Sequence, residues 1–476
     1  MQSKRGSPLH GLFIITVLIL SGCVQHKYIP SSVSDTHHNA LPDAQETVPK
    51  ITPTGLGSLC SSAEKCISYC LNNRGRCEGY CKKNTENPVC QKIFSAPGQE
   101  QPFQHSKNIL DKEWSRGKCE GNGTVPFEAP AMQPADISVI IPMGSMIAGH
   151  VTPIDHLYFY PVNWQTADPR NKVNIYAPAD GTIVQVSTSG KAIEAHLQNK
   201  PPTHDLIIEH SCDFYTLLGL MSDFSPQLQE KIGPLNENSQ KSVRIPVTQG
   251  EVVGNVWGQS LDYFVFYTNA PQKNWIIPEH YDTELGKKFV VDPFDYYKEP
   301  VKSQLLAKNL RTAAPRGGKI DYDIDGKLIG TWFVTHTNGY AGGAGVKGHY
   351  GSYWKTHVSF SPDPIDPDSF IISLGDFKGE ARQFRAKENT PDPKDVDLSS
   401  HLIIYELVAN GYVDPSGKDW NWEGAVQGLR AKKNNQIEGV VLVQLMDTRT
   451  LKLEIFPGKT AAEAHTFTDN AQMYER

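Results

Sequence analysis

The chain has 476 residues, with 46 Lys or Arg against 52 Asp or Glu, and its formal net charge is −6 at pH 7. This balance excludes the broadly basic surface typical of nucleic-acid binding. Hydrophobic residues make up 39% of the chain, enough to build folded cores, while 39 Gly, 33 Pro and 37 Tyr or Phe (19 and 18) favour β-strands joined by turns. Only one long apolar run occurs, which excludes a protein with many membrane spans.

That apolar run lies at residues 12–20, after Lys4 and Arg5. A charged start followed by a short apolar run is typical of a signal peptide. Residues 20–23 read LSGC, which resembles a bacterial lipobox. The resemblance implies that Cys23 carries lipid and anchors the mature protein on the exported side of a membrane, in the cell envelope. The predicted lipoprotein signal peptide with its lipobox covers residues 1–23, and an ordinary secretory signal with a chance cysteine is the alternative.

Residues 24–56 are polar and lack a sustained apolar period, which predicts a flexible tether. Six cysteines follow within the segment 57–95. Two C-x3-C spacings predict an antiparallel helical hairpin with nested disulfides, and an exported compartment favours disulfides over a metal or iron–sulfur site. The predicted pairs are Cys70–Cys77, Cys66–Cys81 and Cys60–Cys90. After a linker at 96–118, Cys119 and Cys212 remain as a further candidate pair.

Residues 119–300 contain short strands with turn signals, including Asp180-Gly181, which predicts a hairpin. Three stretches in this order resemble the lysostaphin-type (LytM-like) zinc metallopeptidase family, also called the duplicated hybrid motif fold. Residues 177–183 match the "A-x-x-D-G-x-V" hairpin of that family, residues 208–210 its "I-x-H" strand, and residues 247–254 its "V-x-x-G-x-x-I-G" hairpin. The resemblance implies an antiparallel β domain and makes zinc the candidate cofactor.

Carried over to this chain, the family's metal positions fall on His150, Asp155 and Asp262, with His156 and His210 as spare imidazoles. The catalytic histidines of the family have no counterpart here. The region of the family's "Y-x-H-L" motif, residues 215–221, contains no histidine and places Leu220 or a neighbour at that position, and its "H-x-H" motif reads Ser260 to Asp262. A zinc hydrolase needs three ligands and a general base. We therefore expect a degenerate domain without catalytic residues.

A linker is predicted at 301–318, followed by alternating strands over 319–476 that predict an antiparallel barrel or sandwich. Residues 330–332 are similar to the Gly-x-Trp of lipocalins, although Trp332 is better explained as a plain core residue. The acidic turn containing Asp363, Asp366 and Asp368 is expected in solvent. Trp420 and Trp422 could form a sugar-stacking surface, but such residues are more often buried or half-buried β residues.

Taken together, the sequence predicts a mainly β, multidomain lipoprotein with a lysostaphin-like β domain, a C-terminal β barrel or sandwich, and a small disulfide-rich α-hairpin near the N-terminus. Its expected role is binding or scaffolding in the cell envelope. The expected partners are the membrane, through the lipid anchor, and peptidoglycan or an envelope protein, with no nucleic acid. One alternative is an active zinc endopeptidase that cuts peptidoglycan cross-links. A second is a lipoprotein that carries a ligand in its C-terminal domain.

Overall fold

A computed structural model describes residues 109–166, 168–189, 202–343 and 353–476, all of which belong to one compact unit. The predicted signal peptide with Cys23, the tether and the six-cysteine hairpin lie outside the described residues. The described chain is mainly β and its sheets are antiparallel, as the sequence predicts. No helix among the described residues is long and apolar enough to span a membrane.

Ten strands form the first half of the described chain. They are β1 (Ile137–Ile141), β2 (Leu157–Pro161), β3 (Val173–Tyr176), β4 (Gly181–Ser189), β5 (Thr203–Glu209), β6 (Phe214–Met221), β7 (Asp223–Phe224), β8 (Ser239–Val247), β9 (Val252–Val256) and β10 (Leu261–Tyr267). Seven of them form one sheet in the order β1-β2-β10-β6-β5-β4-β8, and β3-β9-β7 form a second sheet. The apolar positions of β10 alternate, so Leu261, Tyr263 and Val265 enter the core while Asp262 and Phe264 face the other way.

The Asp180-Gly181 turn does not make the predicted hairpin, because β3 and β4 lie in different sheets. The glycine is required for a different reason. A Cβ at Gly181 would lie 2.6 Å from the carbonyl oxygen of Glu209, so only glycine permits this close approach of two backbones. The Asp180 carboxylate accepts a hydrogen bond from the backbone N–H of Gln249 at 2.7 Å, which ties the turn to the loop before β9.

Helices are few and short among the described residues. Helix α1 (Pro226–Ile232) begins after Ser225, whose hydroxyl accepts from the N–H of Leu228, and α2 is Val301–Leu306. Single π- or 3₁₀-helical turns occur at Asp111–Ser115, Pro134–Asp136, Pro169–Asn171, Pro278–Tyr281, Leu285–Phe289, Pro293–Asp295, Gly339–Ala341, Tyr353–Thr356 and Leu398–Ser400.

The candidate disulfide between Cys119 and Cys212 is present in the structure. Cys119 and Cys212 are bonded, with their Cα atoms 5.0 Å apart, and the bond joins the start of this body to the turn between β5 and β6. Trp114, just upstream, is buried with its ring 5.3 Å from that of Tyr215 and 5.2 Å from that of Phe266. The first turn of the described chain is therefore part of the core.

Ten further strands form the second half. They are β11 (Gly330–Val334), β12 (His357–Pro362), β13 (Phe370–Phe377), β14 (Glu380–Ala386), β15 (Ile403–Ala409), β16 (Tyr412–Val413), β17 (Arg430–Ala431), β18 (Ile437–Leu445), β19 (Thr450–Pro457) and β20 (Gln472–Glu475). Strands β11-β12-β13-β14-β15-β18-β19-β20 close into an eight-stranded barrel through pairing of β11 with β20, and β16 pairs with β17 outside it. Of the two predicted architectures, the C-terminal domain is the barrel.

The inward positions of the barrel are filled by large apolar side chains that share one buried cluster. They include Trp332, Phe360, Ile372, Phe384, Tyr405, Leu407, Val441, Val443 and Leu453. An eight-stranded barrel is just wide enough for such side chains to meet at its axis. The interior is therefore a packed core.

Trp332 is part of that core, as predicted, and Arg476 covers it at one end of the barrel. The Trp332 indole N–H donates to the carbonyl of Leu328 at 2.8 Å. The Arg476 guanidinium lies 4.0 Å from the Trp332 ring centroid and donates to the carbonyls of Ile324, Lys327 and Ile329.

Residues 301–318, predicted as a linker, contain α2 and pack against the first sheet. The N–H of Ile140 in β1 donates to the carbonyl of Lys308 at 2.9 Å, and the N–H of Leu310 donates back to the carbonyl of Ile140 at 3.1 Å. Asn309 and Leu310 are buried. This segment adds backbone pairing at the edge of the sheet.

Candidate functional site

Four of the five predicted ligand residues meet on the face of the seven-stranded sheet. Asp155 and His156 immediately precede β2, and Asp262 is the second residue of β10, directly opposite Tyr158 of β2. The ring of His150 lies 6.1 Å from that of His156. With Lys287, which the sequence did not suggest, we call these residues the sheet-face cluster.

The imidazole of His156 lies between two carboxylates. Its Nδ1 is 3.1 Å from an oxygen of Asp155, and its Nε2 is 3.4 Å from an oxygen of Asp262. The His156 side chain is buried, with ring centroids of Phe264 and Tyr158 at 4.2 and 4.7 Å. Both nitrogens that could hold a metal therefore already face acidic oxygen atoms.

Lys287 brings a positive charge into the cluster. It lies in the turn Leu285–Phe289 and is buried, with Nζ donating to the carbonyl of Pro153 at 3.1 Å and lying 3.7 Å from an oxygen of Asp155. The ammonium also lies 5.1 Å from the ring centroid of Tyr340. This role could not be predicted, because two adjacent lysines in a loop are typical of solvent exposure.

The electrostatics follow from this arrangement. Burial alone would raise the pKa of Asp155, but the Lys287 ammonium and the His156 hydrogen bond hold that pKa below its usual range. Burial lowers the pKa of His150 to about 3, and the neighbouring His156 and Lys287 act in the same direction. His150 is therefore neutral near pH 7, while Asp155 is ionised.

The zinc ion implied by the family resemblance does not fit this arrangement. A zinc site needs at least three ligand atoms directed at one point, without a competing cation. Here an ammonium lies beside Asp155 and the His156 nitrogens face carboxylates. Within the four described ranges, no three His, Cys, Asp or Glu side chains are placed to hold a metal together. The sheet-face cluster therefore does not support a catalytic step that uses zinc.

The residue of β6 that faces Asp262 is not a histidine. Gly219 of β6, rather than Leu220, lies directly opposite Asp262. A Cβ at Gly219 would be 3.3 Å from the Cβ of Asp262 and 3.2 Å from an oxygen of Asp205, so there is little room for a histidine. Leu220 has a φ of 59° and its N–H donates to Asp205 at 3.0 Å.

His210, the second spare imidazole, is placed elsewhere. Its Nδ1 is 2.7 Å from the carbonyl oxygen of Asp180 and its Nε2 is 2.9 Å from the Thr216 hydroxyl. Burial lowers the pKa of His210 to about 4. The ring joins the end of β5 to the turn before β4, and both of its nitrogens are engaged there.

No protein-family model matches the chain, and no curated protein matches it. Among solved structures, the orthorhombic crystal form of Helicobacter pylori Csd3 matches with a TM-score of 0.19 and 15% identity, over 37% of this chain and 35% of that one. The hexagonal form matches with a TM-score of 0.20 and 15% identity, over 38% and 35%. This chain thus spans about a third of the length of the Csd3 chains, and likenesses of this size carry no weight for function.

Proposed function

We propose that this protein is a lipid-anchored component of the cell envelope whose peptidase-like domain binds peptidoglycan or an envelope protein without cleaving it. The observation that carries the proposal is the internal pairing of the sheet-face cluster. The Asp155 carboxylate lies beside the Lys287 ammonium, and the imidazole of His156 lies between the carboxylates of Asp155 and Asp262.

The chemical requirements of amide hydrolysis also support binding without cleavage. The reaction needs a water made nucleophilic near neutral pH and a group that accepts its proton. In the sheet-face cluster the buried cation is a lysine, which cannot bind and acidify a water as a metal ion does. Opposite Asp262 lies Gly219, which has no side chain that could accept a proton.

The packed barrel argues against a ligand carried inside the C-terminal domain. Its inward side chains, including Trp332, Phe360 and Tyr405, are almost completely buried and contact one another. In this proposal the barrel therefore acts as a rigid body beside the first sheet, and binding takes place on surfaces outside its axis.

Purified full-length protein should co-sediment with purified peptidoglycan sacculi and release no soluble fragments, even with excess zinc. His150→Ala tests the cluster, and His336→Ala, at an exposed position, is the matched control. If wild type and His336→Ala release fragments while His150→Ala does not, the protein is an active hydrolase and the proposal is wrong.

The anchor is tested separately. Cys23→Ser should abolish incorporation of a labelled fatty acid, because the thiol is the only acceptor that the lipobox provides. Equal labelling of wild type and Cys23→Ser would contradict lipidation at this residue and leave the binding experiment unaffected.

A further inference from the structure

A cavity of about 210 Å³ lies between the first sheet and the barrel, and we call it the seam cavity. Its walls come from β1, β2 and the turns beside them, and from β14 and the loops beyond β15. None of the lining side chains carries a charge, and the cavity lies outside the packed axis of the barrel. The lining residues are Val139, Met146, Ile147, Tyr160, Trp164, Gln383, Asn410 and Trp422.

The amide and indole groups around the seam cavity offer little to a polar ligand. The Gln383 amide nitrogen donates to the carbonyl of Ala148 at 2.9 Å and to the Ser373 hydroxyl at 3.2 Å. The indole nitrogen of Trp164 and the Oδ1 of Asn410 are buried, so a molecule in the cavity does not reach them. The surface that the cavity presents is therefore mainly apolar. A charged ligand would lose its hydration there without compensation.

The seam cavity has a buried floor and a partly exposed rim. Val139, Met146 and Tyr160 are buried, whereas Trp164 and Trp422 are half-buried. The residues on either side of Trp422 are exposed. The rim thus meets solvent at the two indoles, which gives a small molecule a way in while the sheet and the barrel stay in place.

Aromatic rings and a thioether in the lining favour an aromatic ligand. Trp164 packs on Tyr160 with ring centroids 4.7 Å apart, and Trp422 packs on Trp420 at 4.6 Å. Aromatic pairs, and contacts between a methionine sulfur and a ring, stabilise more than their buried area alone accounts for. Met146 is also unbranched, so its side chain adapts to the outline of a ligand. Trp420 is buried and Trp422 half-buried, which is the burial that the sequence favoured.

Two backbone positions at the seam cavity are strained. Ala148 follows Ile147 of the lining and has a φ of 50°, and Trp422 has a φ of 66°. Both lie in the left-handed region, which residues other than Gly, Asn and Asp rarely adopt. Strained residues of this kind are concentrated at functional sites such as ligand clamps. The strain is therefore a second observation, independent of the cavity itself, that favours a binding site here.

We propose that the seam cavity binds a small neutral aromatic molecule of one ring or two fused rings. An engineered apolar cavity of about 150 Å³ in another protein binds benzene, so the seam cavity, at about 210 Å³, has room for such a ligand. The ring replaces water that meets a mainly apolar wall, and the release of that water drives binding. The site shares no residue with the sheet-face cluster and goes beyond the proposed function.

The test uses the full chain in detergent, labelled with ¹⁵N at its tryptophan indoles, and benzyl alcohol as a neutral, water-soluble probe. The Trp164 and Trp422 signals should shift with a millimolar Kd, whereas the signal of Trp257, which does not line the seam cavity, should not move. Benzoate carries the same ring with a negative charge and should bind at least about tenfold more weakly. Cyclohexylmethanol has an aliphatic ring and should bind about threefold more weakly.

Ile147→Phe places a larger side chain in the lining and should weaken binding of benzyl alcohol by about tenfold. Ile404→Phe is the matched control, because Ile404 is also half-buried but lies on β15 and does not line the seam cavity. Both variants are titrated at one detergent concentration, so uptake of the probe by micelles is the same, and thermal unfolding shows that each is folded. Trp422→Ala removes part of the wall and should also weaken binding, whereas Trp257→Ala should not.

Unmoved Trp164 and Trp422 signals, equal binding of benzoate or cyclohexylmethanol, or equal loss of affinity in Ile147→Phe and Ile404→Phe would overturn the inference. N-acetylphenylalanine amide carries the ring on a peptide backbone and should bind at least about tenfold more weakly than benzyl alcohol, because it is larger than the cavity. Equal binding would instead assign the cavity to a side chain of a partner protein. Failure to co-sediment with sacculi would contradict the proposed function and leave this site unaffected.

Discussion

Two groups of buried charges in the described part of the chain differ in what satisfies them. Beside the barrel, the Asp363 carboxylate accepts from the N–H groups of Ile365 and Asp366 at 2.7 and 3.0 Å and from the Tyr412 hydroxyl, and it pairs with Arg385. On the sheet, Asp155 meets the side chains of His156 and Lys287.

The two groups of charges also differ in their role. Asp363 is fully buried and its backbone donors come from its own turn, so this carboxylate fixes the loop between β12 and β13. The side chains of Asp155 and Asp262 remain about one-sixth exposed, at 17% and 16%. The sheet-face cluster therefore depends on contacts among side chains and keeps some exposure to solvent.

The largest effect is expected for Asp363→Ala. The variant leaves the Arg385 guanidinium buried without its carboxylate, and the free energy of unfolding should fall by about 3–5 kcal/mol. Denaturation with urea measures the loss. Asp368→Ala, on the same turn but 88% exposed, is the control and should change stability by less than about 0.5 kcal/mol. Similar losses of unfolding free energy in both variants would show that the buried Asp363 carboxylate stabilises the protein no more than the exposed Asp368 does.

A smaller effect is expected for Lys287→Met. The substitution keeps an unbranched side chain of similar length but removes the ammonium beside Asp155, which retains its contact with His156. The free energy of unfolding should fall by about 1–2 kcal/mol, because the carboxylate keeps one partner and some solvent.

Lys288→Met provides the comparison for this loss, since the neighbouring lysine pairs with the exposed Asp282 and should contribute less than about 0.5 kcal/mol. An unchanged urea midpoint for Lys287→Met would mean that the buried ammonium does not stabilise the sheet-face cluster.

The effect that is smallest near neutral pH, and that grows as the pH falls, concerns a buried group that stays neutral. Burial lowers the pKa of His357, in β12, to about 3. Between this value and the ordinary pKa near 6.5, the unfolded chain binds a proton that the folded chain does not, so stability falls as the pH decreases through that range. One such histidine contributes up to roughly 1.4 kcal/mol per pH unit.

His357→Gln should reduce the pH dependence of the free energy of unfolding between about pH 6 and 4 by up to this amount, measured by urea denaturation across the range. His150 and His210 titrate in the same direction and keep part of the slope. His336→Gln, at an exposed position, should leave the slope unchanged, and an identical slope in all three proteins would contradict the prediction.

Much of the fold follows from local patterns. Short strands were predicted over residues 119–300, and the alternation of apolar residues along β10 is such a local signal, because a half-buried strand repeats every two residues. The sequence could not show that β3 and β4 belong to different sheets. Turn chemistry specifies a change of direction, whereas the sheet that a strand joins depends on distant partners.

The acidic turn shows the same limit for buried charge. Asp363 and Asp366 were expected in solvent, and that expectation is wrong: both are buried, where Arg385 and Arg430 pair with them. Their partners are remote in sequence, so no local pattern marks the pairing. For the same reason Lys287 was not predicted. The other four residues of the sheet-face cluster were predicted only because they lie at or near the positions of the family motifs.

The closure of the barrel has a consequence for how the chain folds. Strand β11 pairs with β20, joining Phe333 to Glu475 across nearly the whole C-terminal domain. Until the last strand arrives, β11 has an open edge with unpaired backbone groups, and such an edge can pair with another chain. Contacts this distant in sequence also form slowly. The interval before β20 docks is thus the period in which newly made molecules are most prone to aggregate.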